Sequence, residues 1–455
     1  MSAAVQASSL FSTPEMDRVF SLSRQLQHMT RFEWALNAAL EASELAAKGA
    51  AVAVEPLLDA AFVDIPSLHA QEHQAGNIAI PFIRQLTAAV RLRDEKAARS
   101  LHLGATSQDV LDTALVLQIR EALELIRNDL QELDRRLVQL IDENADAILA
   151  GRTWLQEGPP VTLGLKMAGW LSALRRHQQR LESASQRAIV LQFGGAVGTL
   201  AALGERGPDV AEALAQKLGL PEPDLPWHTQ RDNIGEVGAT LGLLTGTLGK
   251  IARDISLLMQ TEVAEIFEPG AQDRGSSSTM PHKRNPVASA VILAAAARVP
   301  GLVSTLLSAM VQEHERGLGG WHAEWEALPA VFRLTSVALS RTLEITSGLE
   351  VHREKMLANI EATRGLAMSE AVSVALAAHV GRARAHELLE EASRRVVAEQ
   401  IQLRDVLAAM PEVRQHLSET AVKQLLDPRN YLGSTRRFIE RVLNNQTYGE
   451  PDASR

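Results

Sequence analysis

Apolar residues between positions 237 and 258 recur at alternating steps of four and three, which is the spacing of a heptad seam. The seam consists of Val237, Leu241, Leu244, Leu248, Ile251, Ile255 and Leu258. Beside it runs a stripe of small residues, Gly235, Gly238, Gly242, Gly246 and Gly249. Each glycine in a helix costs roughly 1 kcal/mol relative to alanine, so we expect close packing to offset this cost. The pattern predicts a helix over residues 233–267, about 50 Å long.

Similar amphipathic patterns predict long helices elsewhere in the chain, over residues 112–150, 162–188 and 286–312. No convincing run of period-two alternation and no repeat of fixed period is present. Glycine and proline cluster in residues 151–160, 194–207, 221–227 and 269–286. Helices of this length are typical of a large bundle, often one shared between subunits. The sequence therefore predicts an all-α protein with an N-terminal helical domain (1–113), a central long-helix bundle domain (114–355) and a C-terminal helical domain (356–455).

Composition narrows the functional classes. Among 455 residues there is no cysteine, which excludes disulfides, thiolate nucleophiles and cysteine-ligated metals and fits a reducing cytoplasm. A net charge of −9 argues against a general nucleic-acid binder. The stretch 188–204 is uncharged but short and broken by glycines, so we predict no membrane span. His69 and His73 have a metal-pair spacing but no apparent third ligand, and we expect neither a metal nor a cofactor.

Residues 275–286 read Gly-Ser-Ser-Ser-Thr-Met-Pro-His-Lys-Arg-Asn-Pro and are the segment richest in candidate chemistry. With few apolar groups to bury, this segment should be mobile, while Pro281 and Pro286 stiffen its end. A hydroxyl-bearing flap above Lys283 and Asn285 at the start of a helix would suit binding an anion and closing over it. A solvated serine-rich linker is the alternative, which the ordered Met-Pro-x-Lys-x-Asn-Pro end of the segment disfavours.

The same segment resembles the signature loop of the fumarase/aspartase superfamily, Gly-Ser-Ser-x-Met-Pro-x-Lys-x-Asn-Pro. Residues 102–109, His-Leu-Gly-Ala-Thr-Ser-Gln-Asp, are similar to the first block of that superfamily. Residues 151–156 and 162–164 are similar to its second block. The blocks occur in the right order, and the resemblance spans nearly the whole chain. It implies an all-α fold of three domains and a homotetramer whose active sites combine residues of three subunits.

The resemblance also implies a chemistry: addition to, or elimination from, a carbon β to a carboxylate, through a carbanion delocalised into that carboxylate. Such an intermediate needs fixed cations and hydrogen-bond donors, and one group that exchanges the α-proton. By resemblance, Ser277 is that group, Lys283 and Asn285 lie on the oxyanion side, and Thr106 and Ser107 hold a substrate carboxylate. Whether Ser277 or Lys283 transfers the proton stays open. For a small polycarboxylate substrate we predict further binding residues, which are His102, Arg152, Thr153, Trp154, His228, Gln230 and Arg231.

The chain departs from the superfamily at two linked positions. Most members have a histidine where this chain has Trp154, paired with a glutamate where it has Ala290. That pair protonates a departing amine or activates water, so an enzyme without it should add or release a group that needs no proton. A carboxylate, with a pKa near ~4, is such a group. The sequence therefore predicts intramolecular addition of a carboxylate to a conjugated double bond, as in the cycloisomerase branch, which residues 194–199, 226–232 and 321–329 also resemble.

Two alternatives stay open. An adenylosuccinate lyase-like enzyme that eliminates fumarate shares the His-Lys-Arg-Asn-Pro end of the loop. However, Asn77, Trp154 and Trp325 stand where that branch has two histidines and a phosphate-binding arginine. A non-catalytic relative that kept only the bundle is the other alternative. The complete set of Ser277, Lys283 and Asn285 opposes it, because a scaffold has no use for a serine flap over a lysine.

Overall fold

The computed structural model describes residues 9–270, 280 and 283–444, in which helices dominate. The α-helices are α1 Pro14–Val19, α2 Leu22–Ala42, α3 Ala50–Val54, α4 Ile65–Ala75, α5 Ala79–Arg91, α6 Ser107–Glu143, α7 Leu163–Ala188, α8 Gly207–Leu218, α9 Asp232–Leu258, α10 Val287–Ala309, α11 Gly320–Ser347, α12 Arg353–Ala362, α13 Ser369–Val380, α14 Arg382–Glu399, α15 Leu403–Ala409, α16 Pro411–His416, α17 Glu419–Leu425 and α18 Thr435–Asn444. The strands are β1 Ile148–Thr153, β2 Gln156–Thr162, β3 Ile266–Phe267 and β4 Glu350–Val351. The all-α prediction is confirmed.

The chain forms two compact units. Unit 1 contains residues 1–129, 177–246 and 294–340, and unit 2 contains residues 130–176, 247–293 and 341–455. Five long helices, α6, α7, α9, α10 and α11, contribute residues to both. The predicted domain boundary at 113/114 falls inside α6, one of these helices. The three-part division of the chain stays a prediction.

Helix α9 carries the predicted heptad seam, and every seam residue is buried. In unit 1 its glycine stripe packs against α10. A Cβ built on Gly238 would lie 2.4 Å from Leu306 Cδ1, and one on Gly235 would lie 2.8 Å from Met310 Sδ. The predicted close packing is confirmed for Gly235, Gly238 and Gly242, whereas a Cβ built on Gly246 would have no neighbour within 4 Å. The helix is shorter than predicted, since it ends at Leu258 and Ala264 then adopts a left-handed conformation (φ 50°) before β3.

Unit 2 contains two small antiparallel pairs. Strands β1 and β2 form a hairpin, with Thr153 opposite Gln156. The helix predicted over 112–150 is therefore too long at its end, since α6 ends at Glu143 and β1 begins at Ile148. Its turn residues, Trp154 and Leu155, both have positive φ (54° and 63°). Strand β3 pairs with β4, with Phe267 opposite Glu350. The C-terminal helices share one apolar core, formed by Val372, Leu376, Ala385, Leu388, Leu389, Ala392, Val396, Leu403, Val406, Leu407, Met410, Val413, Leu417 and Val422.

Helix α10 is long and apolar enough to cross a membrane, judged by length and composition, and 28% of its apolar stretch is buried within this chain. A bundle helix that packs against other helices has the same properties, so one such helix is weak evidence for a membrane span.

Candidate active site

The first block of site residues forms a turn that leads into α6. His102 has a left-handed backbone (φ 61°), and the buried carboxylate of Glu33 holds it at two points. One oxygen lies 2.7 Å from His102 Nδ1, and the other accepts the His102 backbone N–H at 3.0 Å. Burial disfavours the charged imidazole, but attraction to Glu33 outweighs burial and raises the pKa of His102. Glu33 therefore orients the ring and favours its cationic form, as a carboxylate-binding histidine requires.

Thr106 and Ser107 lie at the N-terminus of α6. The backbone N–H of Thr106 donates to Asp109 Oδ2 at 3.0 Å, the reciprocal contact of a capping box. Asp109 Oδ1 lies 2.7 Å from Nε2 of His228, which is only 4% exposed. In unit 1 the structure thus brings His102, Thr106, Ser107 and His228 into one neighbourhood.

Arg231 contradicts its prediction as a substrate cation. Its guanidinium is completely buried and forms ion pairs with the carboxylates of Asp112 (2.7 Å) and Glu324. The Trp227 ring packs against it, with 4.9 Å from Arg231 Cζ to the ring centroid. Four hydrogen bonds to these two carboxylates hold the guanidinium in the core of unit 1. The neighbouring residue Gln230 is exposed, and its role as a binding residue stays a prediction.

Arg316 was not predicted as a site residue, because it lies outside the sequence motifs. Its guanidinium donates to Gln108 Oε1 at 3.1 Å and to the backbone carbonyl of Ala196 at 2.8 Å. Arg316 thereby ties the first block to the string at 194–199. Its partners lie more than 100 residues away in sequence, and no local signal in the chain identifies it.

In unit 2 the hairpin carries three predicted binding residues. Arg152 makes a bidentate ion pair with Glu265, so its charge is compensated inside the chain. Thr153 and Trp154 lie on the exposed end, and the Trp154 side chain is 98% exposed. Trp154 therefore has no place in the core of this chain taken alone, and its role in substrate binding stays a prediction.

The signature loop is described only at its end, and Ser277 lies outside the described residues. Lys283 is exposed, and Asn285 is half-buried at the entry to α10. Arg284 between them pairs with Glu350 at 2.7 Å and donates to the backbone carbonyl of Glu268 at 2.7 Å. Arg284 thus anchors this part of the loop to β4 and to the residue that follows β3.

Glu268 occupies the helix start that the sequence suggested for an anion. Its carboxylate, on a residue only 7% exposed, accepts the backbone N–H groups of Ala288 (3.0 Å) and Ser289 (2.8 Å) and the Ser289 hydroxyl (2.6 Å). These amides are satisfied within the chain. The amides of Ala288 and Ser289 are therefore not available to an anion, and the role predicted for Lys283 and Asn285 rests on their side chains.

Within the described part of the chain, no group of three or more histidine, aspartate or glutamate side chains is arranged to hold a metal ion.

Comparisons with known proteins identify the relatives of this chain. A family model described as "Lyase" matches residues 20–301, and one described as "Adenylosuccinate lyase C-terminus" matches residues 365–442. The 3-carboxy-cis,cis-muconate cycloisomerase of Pseudomonas aeruginosa is 51% identical over 95% of this chain and 94% of its own. That of Acinetobacter baylyi is 46% identical over 96% of this chain and 97% of its own.

Among solved structures, the 3-carboxy-cis,cis-muconate lactonizing enzyme of Pseudomonas putida matches with a TM-score of 0.91 and 50% identity. The match covers 96% of this chain and 97% of that one. Identity at this level over nearly full length, with the three sequence blocks in the same order, means that the chain belongs to the fumarase/aspartase superfamily, in the family of the 3-carboxy-cis,cis-muconate cycloisomerases.

Proposed function

We propose that the protein is a cycloisomerase that converts 3-carboxy-cis,cis-muconate to 4-carboxymuconolactone in the catabolism of protocatechuate, an aromatic compound. The observation that carries the proposal is the joint replacement of the superfamily's histidine and glutamate by Trp154 and Ala290. A lactonising enzyme uses a substrate carboxylate as its nucleophile, which is already ionised near neutral pH and needs no base. The family membership points to the same reaction.

In this reaction a carboxylate oxygen of the substrate forms a bond to the β-carbon of a conjugated double bond. The π electrons move to the α-carbon and into its carboxylate, and the α-carbon then takes a proton. Lys283 and Asn285 stabilise the negative charge that develops on this carboxylate. Ser277 or Lys283 supplies the proton. Thr106, Ser107, His102 and His228 hold the remaining carboxylates.

The hairpin tip supports a site completed by another copy of the chain. Trp154 is almost fully exposed, and it lies in a left-handed turn conformation that is costly for a residue with a side chain. Leu155 beside it is 74% exposed. Two large apolar residues held in this conformation are explained if they are buried against a neighbouring subunit. We therefore propose a homotetramer in which Thr153 and Trp154 of one subunit contribute to a site of another. The absence of cysteine supports a cytoplasmic location for it.

One observation favours a second candidate, an adenylosuccinate lyase-like C–N lyase, because residues 365–442 match the C-terminal region of that enzyme family. Release of an amine, however, calls for a proton donor, and Trp154 and Ala290 replace the pair that would provide it.

An absorbance assay with 3-carboxymuconate, adenylosuccinate and argininosuccinate separates the two candidates. We expect loss of the conjugated-diene absorbance of 3-carboxymuconate and no turnover of the other two substrates. Release of fumarate from either amine substrate, without lactonisation, would replace the proposal by the second candidate. Inactivity on all three would favour the non-catalytic alternative.

A further inference from the structure

Asp109 lies in the first turn of α6, with no exposed surface and five hydrogen bonds to its carboxylate. Oδ1 accepts from Gln192 Nε2 (3.1 Å), Gly194 N (3.1 Å) and His228 Nε2 (2.7 Å), and Oδ2 accepts from Thr106 N (3.0 Å) and Gly195 N (2.9 Å). A carboxylate offers acceptor sites on both oxygens and donates nothing, so it can satisfy all five donors. An amide of the same shape cannot, because its NH₂ group would face donors.

The five donors come from three separate segments of the chain. Thr106 belongs to the first block, Gly194 and Gly195 open the string at 194–199, and His228 belongs to the string at 226–232. One buried carboxylate thus fixes the relative positions of three segments that the sequence singled out for function. Asp109 is not among the residues to which the sequence assigned a role in the site.

The contact with Asp109 also defines which face of His228 is available. Because Nε2 donates to Asp109, the ring presents its other nitrogen, Nδ1, away from the carboxylate. No residue in the described ranges is recorded as a hydrogen-bond partner of Nδ1. Gly194 lies close beside the ring, since a Cβ built on it would lie only 3.0 Å from His228 Cε1. The imidazole is therefore fixed in orientation with one nitrogen left for a ligand.

We propose that Asp109 is the positioning residue of a carboxylate subsite, in which His228 and the Thr106–Ser107 hydroxyls bind one carboxylate of the substrate. The proposal rests on the proposed function, because it assigns these groups to one carboxylate of a polycarboxylate substrate. Asp109 acts through His228 and through the backbone of Thr106 and does not itself touch the substrate.

The test compares Asp109→Asn and His228→Asn with a matched control, Glu324→Gln. Glu324 is another fully buried carboxylate of unit 1. It pairs with Arg231 and forms no hydrogen bond with His228 or Thr106 in the described structure. Its neutralisation reports the general cost of losing a buried charge. Each variant of the full-length protein is assayed for kcat and KM with 3-carboxymuconate and for melting temperature. Calorimetry measures the affinity for tricarballylate, a saturated tricarboxylate probe.

Loss of a contact that is equal in the ground state and the transition state raises KM and leaves kcat unchanged. We expect Asp109→Asn and His228→Asn each to raise KM and the tricarballylate Kd at least tenfold, with kcat within threefold of wild type. The double variant should be no weaker than Asp109→Asn alone, because both changes remove the same contact. Glu324→Gln should lower the melting temperature and leave KM within threefold.

Unchanged KM and tricarballylate affinity in Asp109→Asn would overturn the proposal, and so would fully additive effects in the double variant. If Asp109→Asn does not fold, the His228→Asn variant alone tests the subsite, since it keeps Asp109 and its other four hydrogen bonds. An unchanged affinity of His228→Asn for tricarballylate then overturns the proposal. A wild-type protein that binds tricarballylate but does not lactonise refutes the proposed function, and calorimetry on the variants still decides the role of Asp109. A wild-type protein that binds no tricarboxylate overturns the subsite itself.

Discussion

The guanidinium of Arg152 donates two hydrogen bonds to the carboxylate of Glu265, at 2.7 and 2.9 Å. Glu265 is completely buried, and Asn359 Nδ2 donates to the same carboxylate at 2.8 Å. This pair fastens β1 of the hairpin to the segment that precedes β3. A residue that sequence comparison marks for substrate binding thus has a structural partner of opposite charge before any substrate arrives.

The two members of this pair should not be equally costly to remove. Arg152→Ala leaves a buried carboxylate without a compensating charge, which costs about 3–5 kcal/mol. Glu265→Gln keeps the shape and one acceptor and leaves a partly exposed guanidinium, so the loss should be nearer ~1.5–3 kcal/mol. Denaturant unfolding of both variants measures the difference. An equal or smaller loss for Arg152→Ala would show that Glu265 does not depend on Arg152 for its burial.

Glu268 should matter for both stability and turnover. Glu268→Ala removes the acceptor for the amides of Ala288 and Ser289, and each buried donor left unpaired costs about 1–3 kcal/mol. Because α10 begins directly after Lys283 and Asn285, loosening its first turn should also lower kcat/KM. Ser289→Ala is the control, since it removes only the 2.6 Å hydroxyl contact and keeps the backbone bonds. Glu268→Ala with stability and kcat/KM equal to those of Ser289→Ala would contradict this role.

Two histidines of unit 1, the half-buried His102 and the buried His28, should respond to pH in opposite directions. Glu33 raises the pKa of His102 despite burial, so the folded state holds this proton more tightly than the unfolded state. The resulting stability is fully present below the ordinary histidine value near 6.5 and is lost as the pH rises through the raised pKa. Burial instead lowers the pKa of His28, although Glu121 opposes the shift. His28 therefore costs stability as the pH falls below its ordinary value.

Melting temperatures of wild type, His102→Asn and His28→Asn between pH 5.5 and 9 measure both effects. The stabilisation of wild type relative to His102→Asn should shrink as pH rises. The stability of wild type relative to His28→Asn should instead decrease as the pH falls. Two curves with slopes of the same sign would refute the assignment for one of the two histidines.

Ser277→Ala should abolish turnover and leave melting temperature and substrate affinity nearly unchanged, since the segment around it has little core to lose. Activity within tenfold of wild type would exclude Ser277 as the proton-exchanging group.

If sites are shared between subunits, mixing inactive Ser277→Ala protein with an inactive Thr106→Ala/Ser107→Ala variant should restore part of the activity through hybrid sites. Sedimentation showing an active monomer would end the shared-site proposal.

The long helices could be predicted from sequence because their signal is local. Residues 162–188 were predicted and α7 runs Leu163–Ala188, bounded by prolines on one side and glycines on the other. The hairpin was missed because Gly151, Pro159 and Pro160 interrupt the alternation that identifies strands. The two strands form because β1 and β2 pair with each other, although neither segment shows the alternation of a strand.

Site chemistry was predictable only where a motif carries it. Thr106, Ser107, Lys283 and Asn285 were assigned by resemblance to the superfamily blocks, and their roles stay predictions. The assignment of Arg231 to substrate failed because Asp112 and Glu324, which bury its charge, lie 119 and 93 residues away. No pattern along the chain tells a free cation from one whose partners are brought in by folding. His228 shows the converse, since its orientation by Asp109 is visible only in three dimensions.

The last prediction concerns Trp154 and Ala290. Restoring the superfamily pair by Trp154→His with Ala290→Glu should not speed lactonisation, because the attacking carboxylate needs neither a base nor an acid. Both positions are exposed within the chain, so the double variant should fold with little loss of stability in the subunit itself. The new glutamate would lie near a polyanionic substrate, where like charges repel, and KM should rise. The single variants separate the effect of each side chain, and melting temperature separates folding from rate. A stable double variant that lactonises faster than wild type would refute the argument that the missing pair reflects a carboxylate nucleophile.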